Sequence, residues 1–435
     1  ASIIPAKIIG AREGALQGAQ KNGAVGTYAV GTLNIAADIL KSNLNTATNY
    51  VGKVVADTRG TVNVTAPSAA TTLTAGKAAG NGGYFQVLKN NSSKDGGTLT
   101  IDGGSKGITI SGGSVSGSGG AIYSVTNKNV TIKGTTTLSS NTAVNGGAIY
   151  QSGGTISITK GTFTGNKASS SSGAVYINGG SFTSDSTNYS LNVGATGGVS
   201  DVRGSATATF KNGVFSNNTS TSGWASVFGV MSKAVVNLEN VTVYGNRAIG
   251  GGAKDLNENA AIILYQDGYT LNLSGTNKFF NNTWSLSSAE SNTFDIGVWT
   301  ANVASSVNFK SGSTTYLNSG MHVYKSYTSA FTNNIESTAV LHSYQFRLAA
   351  DVATINVSGT LDNNKYIISG GTALSTTVAG QGQTKISAGT FIVNNGGQAT
   401  LNNISATGGK MTNDGTLTLT TGTKDGQGTG SGNIT

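Results

Sequence analysis

The chain has 435 residues, with 64 Gly, 2 Pro and no Cys, and only 10% of it is charged. Disulfides are excluded as a source of stability, and the wealth of Val, Ile, Thr and Tyr argues against disorder and for strands. The net charge of +9 is scattered, and no stretch of about 18 uncharged apolar residues occurs, so neither a nucleic-acid groove nor a transmembrane helix is expected.

Residues 1–60 read as an N-terminal cap. Gly10, Gly14 and Gly18 recur at every fourth position. From Leu33, apolar residues fall at Ala36, Leu40, Leu44, Ala47, Val51 and Val54, the period of an amphipathic helix. Such a cap would shield the strand edges of a stacked fold. The chain opens at Ala1, as a mature, signal-cleaved start or a trimmed one would.

Residues 61–425 have a different texture. Runs such as Thr61–Thr65, Thr98–Ile101, Thr155–Thr159, Thr354–Val357 and Thr416–Leu419 alternate apolar and polar residues and are bounded by Gly, Ser or Asn. These are short strands with turns between them. Residues 426–435 form a polar, Gly-rich tail.

Two elements repeat within the strand region. Gly119-Gly120-Ala121-Ile122 returns as Gly146-Gly147-Ala148-Ile149 and, varied, as Ser172-Gly173-Ala174-Val175; Gly250–Ala253 is a distant echo. The other is an apolar residue followed three places on by Asn. It occurs as Leu138 with Asn141, Phe163 with Asn166, Phe215 with Asn218, Val243 with Asn246, Phe279 with Asn282 and Phe331 with Asn334. The recurrence defines a coil of roughly 26 residues, the signature of a solenoid. The Phe would point inward and stack coil on coil, the Gly pair would allow a tight bend, and the Asn would occupy a corner. An Asn tolerates left-handed angles there and can hydrogen-bond its counterpart in the next coil. The fold expected is all-β, a right-handed parallel β-helix with a partly helical or irregular cap.

This combination resembles the repeats of the chlamydial polymorphic outer-membrane proteins, carried here by Gly119–Ile122, Gly146–Ile149 and the Phe-x-x-Asn pairs from Phe163 to Asn334. The resemblance implies an autotransporter-type β-helical passenger acting as an adhesin on the bacterial surface. The chain departs from that family in lacking Cys and a late run of lipid-facing strands.

No catalytic constellation is evident. The 18 acidic residues are dispersed, with Asp95 and Asp102, Asp255 and Glu258, and Glu290 and Asp295 the closest pairs. Each pair reads as turn or solvated residues. His322 and His342 are placed on adjacent coils as surface polarity. No Cys or His cluster has metal spacing, so no metal, cofactor or enzymatic activity is expected. In the aromatic-rich stretch 256–350, Trp284, Trp299, Tyr324 and Tyr327 are the candidate binding surface; the alternative is that they are large core residues. The leading functional expectation is an extracellular, cell-surface or secreted adhesin that binds host or neighbouring-cell glycans or proteins through its flank and loops. The alternatives are a self-assembling filament or surface-layer subunit and a polysaccharide-degrading β-helix enzyme.

Overall fold

A computed structural model describes residues 32–46, 48–222, 224–249, 259–286, 294–325, 327–369, 373–378 and 382–420, with short strands at Ile8–Ile9, Val25–Gly26, Ala289–Glu290 and Asn433–Ile434. Gly10, Gly14, Gly18, Ala47, Gly250–Ala253, Asp255 and Glu258 lie outside the described residues. The fold is a parallel β-helix, divided into two compact units: residues 1–214 with 218–220, and residues 215–217 with 221–435.

In the first unit each coil passes through three sheets and a short fourth ladder. One coil comprises Phe85–Val87, Thr98–Asp102, Ile108–Ser111 and Ser114–Val115. The next lays Ile122–Ser124, Asn129–Lys133, Thr136–Ser139 and Thr142–Ala143 upon it in parallel, with Ile122 on Phe85, Val130 on Leu99 and Leu138 on Ile110. Alternate residues point inward, as the pleat requires. In the second sheet Val62, Leu99, Val130, Ile156 and Phe182 form one buried column. In the third sheet Phe163 follows Leu138 and stacks on Tyr189, with ring centroids 4.9 Å apart and planes at 19°. The buried Tyr189 hydroxyl is matched by Ser184 Oγ at 2.8 Å, where the preceding coil has the aliphatic Ile158. A polar group admitted to the core thus brings its own partner.

The predicted helix is shorter than its apolar spacing suggests. It covers Ala37–Leu44; Leu33 and Ala36 belong to the strand Thr32–Ala36, paired with Thr61–Thr65, and Val54 begins another strand. Ala37, Leu40 and Leu44 are fully buried while Ile39 faces out. Lys53 Nζ donates to Leu44 O at 2.9 Å and Thr74 O at 2.6 Å. It satisfies a carbonyl that the helix end would otherwise leave open. Burial holds its ammonium down to a pKa of about 8.

The corner between the third sheet and the short ladder explains the Asn motif. Asn141 donates from its backbone N–H and from Nδ2 to Asn166 Oδ1, at 3.1 and 3.0 Å. Asn166 does the same to Asn192, and Asn192 to Asn218. All four are buried. The expected left-handed residue is not the Asn itself but the one before it: Ser140, Gly165 and Leu191 have φ of 54°, 64° and 58°. The Gly motif sits where the coil enters the first sheet. A Cβ on Gly120 would fall 2.1 Å from Gly147 O, so stacked backbones exclude any side chain there.

The second unit keeps the three sheets with less regular coils. Met321–Tyr324, Phe331–Ile335 and Val340–Ser343 carry Gln345–Ala349, Ala353–Val357 and Thr360–Asp362 in parallel. Two antiparallel departures interrupt it, Thr283–Leu286 with Ala289–Glu290 and Lys365–Ser369 with Ala373–Val378. The corner ladder is present as Asn246 donating to Asn282, again after left-handed residues, Gly245 and Asn281. Phe279 lies buried in the third sheet beside Val243, and Phe215 is buried against Phe228, 5.0 Å between centroids. Phe331 and Asn334 have the letters of the corner motif but not its place. Phe331 is an inward residue of the second sheet. Asn334 belongs to an outward ladder, Asn237, Asn272, Asn308, Asn334 and Asn356, joined by amide hydrogen bonds of 2.8–2.9 Å.

Candidate ligand-binding face

The outer surface of the first sheet in the second unit departs from the repeat. In the first unit, the N–H groups of Ala148 and Ile149 both donate to Ala174 O, at 2.9 and 3.0 Å. Phe294-Asp295-Ile296 repeats that arrangement, with Asp295 and Ile296 donating to Gly320 O at 2.8 and 3.3 Å. Phe294 therefore stands where Gly147 does. A flat corner becomes an aromatic one, and Phe294 joins Ala225, Ala260 and Ile263 in a small apolar cluster, with Trp224 and Tyr265 packed on it.

From this cluster a chain of rings runs across the face. Tyr265 and Trp224 are 4.9 Å apart between centroids, Trp224 and Trp299 5.8 Å, and Trp299 and Tyr324 6.3 Å. Tyr324 lies 3.6 Å from the His322 ring, and His322 5.0 Å from Phe294. The rings are tilted rather than stacked, and Trp224, Tyr265, Trp299 and Tyr324 are half-buried. Trp299 Nε1 and His322 Nδ1 are buried without a hydrogen-bond partner among the described residues.

Beyond the rings the face becomes cationic. His322, Arg347 and Lys385 occupy one outward column of three successive coils, about 4.8 Å per step. The Arg347 guanidinium also lies 5.2 Å from the Phe294 ring centre. These residues, with Tyr324 and Ser387, line a cleft of about 270 Å³. Burial, reinforced by the positive charge of Arg347 and Lys385, pushes His322 down to a pKa of about 3. It is a neutral imidazole at the end of a column whose next two members are cations, able to donate or accept a hydrogen bond. Asp295, beneath the face, receives N–H groups from Ser319 and Gly320 and Nδ2 of Asn282. Burial nevertheless raises its pKa to about 6.

No protein-family model, curated protein or solved structure matches the chain. The face must be read from its own chemistry.

Of the four aromatic residues singled out in the sequence, Trp299 and Tyr324 come together here. Tyr327 is 38% exposed at the corner that follows, its backbone held by the Thr300 hydroxyl. Trp284 lies in the strand Thr283–Leu286, and its side chain falls outside the described residues. Tyr269 is a core residue instead, 3% exposed. Tyr265 lies in the aromatic-rich stretch that the sequence marked out and His322 was read there as surface polarity; Trp224, Phe294, Arg347 and Lys385 were missed. The two histidines are not neighbours: His322 is in the first sheet, whereas His342 is in the third, stacked on Tyr316 and 3.1 Å from Asp362. Asp362 also accepts the Tyr366 hydroxyl at 2.5 Å and the Asn364 backbone N–H at 3.2 Å, so its carboxylate is committed to three partners. Asp95 and Asp102 pair separately with Lys128 and Lys133 at the surface. No group of three metal-ligating side chains occurs among the described residues, and no described helix is long and apolar enough to cross a membrane.

Proposed function

We propose that the chain is an adhesin-like β-helix that acts outside a bacterial cell, attaching to glycans or proteins on host or neighbouring cells. The observation that carries this reading is the row Tyr265, Trp224, Trp299 and Tyr324. Half-buried rings anchored on a rigid sheet offer large contact area at little cost in conformational entropy. Such half-buried rings suit contact with a sugar or an apolar side chain. The motifs resembling those of chlamydial passengers agree with such a role, as do the buried Asn ladders that brace coils within each unit. Attachment is non-catalytic in this reading, and the protein works as a bound surface module.

The test is adhesion of the purified protein to a panel of cells and to arrayed glycans, compared with Trp224→Ala and Trp299→Ala. Loss of at least tenfold in binding, with unchanged thermal unfolding, supports the reading. Full binding by both variants, turnover of a bound polysaccharide, or long polymers in electron micrographs in place of discrete particles would count against it.

A further inference from the structure

We propose that the ligand of this face is an acidic saccharide, whose carboxylate or sulfate group enters the cleft between Arg347 and Lys385 while a sugar ring lies against Trp299 and Tyr324. The inference rests on the attachment reading above and narrows its ligand.

Three observations converge. Arg347 and Lys385 stand opposite one another on adjacent coils, so both cations reach one anion-sized volume. Neither makes a salt bridge among the described residues, and no carboxylate lines the cleft. His322 is only 5% exposed, lines the same cleft and has an Nδ1 without a partner. A buried polar atom left unpaired is costly, and a hydrogen-bonding group on the ligand would satisfy it. Finally, the cleft continues directly into the rings through the 3.6 Å approach of His322 to Tyr324. Cations at one end and half-buried aromatic rings at the other match a sugar that carries an acid group. A guanidinium supplies paired donors to a planar carboxylate or to a sulfate. Two cations gathered at one point suit a single acid group better than a phosphate backbone, which needs a groove of cations along its path.

The experiment uses the full chain on an array carrying uronate, sialate and sulfated oligosaccharides, each beside its carboxyl-reduced or desulfated counterpart, with an oligothymidylate included. Hits are quantified by calorimetry. The expected result is at least tenfold tighter binding of one acidic class than of its neutral counterpart. That preference is lost in Arg347→Gln and Lys385→Gln, while Trp299→Ala weakens acidic and neutral forms together. The uronate and sulfate arms show which acid is taken. Equal affinity for acidic and neutral forms, with Trp299 still required, overturns this inference and leaves the attachment reading standing. Binding of no glycan, with cell adhesion indifferent to Trp224 and Trp299, overturns both. Tighter binding of the oligothymidylate than of any glycan overturns the saccharide assignment.

Discussion

The first sheet carries outward aromatic residues in both units, and they are used in opposite ways. In the first unit Tyr123, Tyr150 and Tyr176 follow the Gly-Gly-Ala repeat and stack with centroids 5.2 and 5.3 Å apart and planes at 15° and 6°. The Arg203 guanidinium lies 5.2 Å from the Tyr176 ring centre. These ring faces are spent on one another, so the column braces the coils. In the second unit the repeat lapses at Phe294, and the rings from Tyr265 to Tyr324 meet at interplanar angles of 35°, 39° and 65° instead of stacking. Regular spacing makes a structural ladder; in the attachment reading, the break in the repeat is where rings become available to a ligand.

The strongest way to break this comparison is to remove the regularity itself. Asn166→Ala would strip the partner from two donors of Asn141 and remove the two bonds donated by its own Nδ2, to Leu138 O and Asn192 Oδ1, all in a fully buried corner. We expect a loss of about 3–5 kcal/mol, given roughly 1–3 kcal/mol per buried group left unsatisfied, measured by chemical denaturation. A loss below about 1 kcal/mol would mean that the ladder is not what holds the coils in register.

The second unit should respond to pH through two groups of opposite sign. Asp295 is raised to about 6, so its contribution is fully present below the unfolded carboxylate pKa of about 4 and is lost as pH rises through 6. His322 is depressed to about 3. Its contribution is present above the unfolded imidazole pKa of about 6.5 and is lost as pH falls. Between about pH 4 and 6 the two slopes, each about 1.4 kcal/mol per pH unit, offset one another. Denaturation midpoints of Asp295→Asn should therefore rise across this window, and those of His322→Gln should fall. Parallel profiles for the two variants would contradict the assignment.

A smaller effect separates the two aromatic columns directly. Tyr150→Ala should cost about 1–2 kcal/mol of stability through lost stacking and burial and leave ligand binding within twofold. Trp299→Ala should show the reverse balance. Smallest of all, Leu191 is 58% exposed yet held at φ 58°. Leu191→Asn should stabilise the first unit by about 1 kcal/mol, because Asn tolerates the left-handed region far better than Leu. Asn281 holds the same position in the second unit at φ 53°. Thermal unfolding with no increase would show that this corner is already relaxed.

What the sequence revealed follows the same division. The Gly-Gly-Ala and x-x-Asn motifs were legible because the geometry behind them recurs in each coil. Asn192 escaped notice because Tyr189, with its hydroxyl, stands where an apolar residue was sought, although a pattern that also admitted Tyr would have found it. Phe331 and Asn334 misled for the opposite reason: the inward and outward alternation of a second-sheet strand happens to spell the corner motif. The helix was overextended because a strand followed by a helix can keep apolar residues near a helical period. The binding face was only half legible. Trp299 and Tyr324 announced themselves as aromatic, but the column His322, Arg347 and Lys385 is separated by coils of unequal length, one enlarged by the hairpin Lys365–Val378. Unequal coils hide from any fixed period the residues that stack in space.

The chain contains three tryptophans, Trp224, Trp284 and Trp299, all in the second unit; Trp224 and Trp299 belong to the ring row, so in a Trp284→Phe background the tryptophan emission reports on the proposed face. Titration with the acidic oligosaccharide bound most tightly should shift the emission to the blue and shield it from acrylamide quenching in step with the calorimetric isotherm. Saturation of the calorimetric signal with emission and quenching unchanged would contradict the account, because the ligand would then be bound away from the rings.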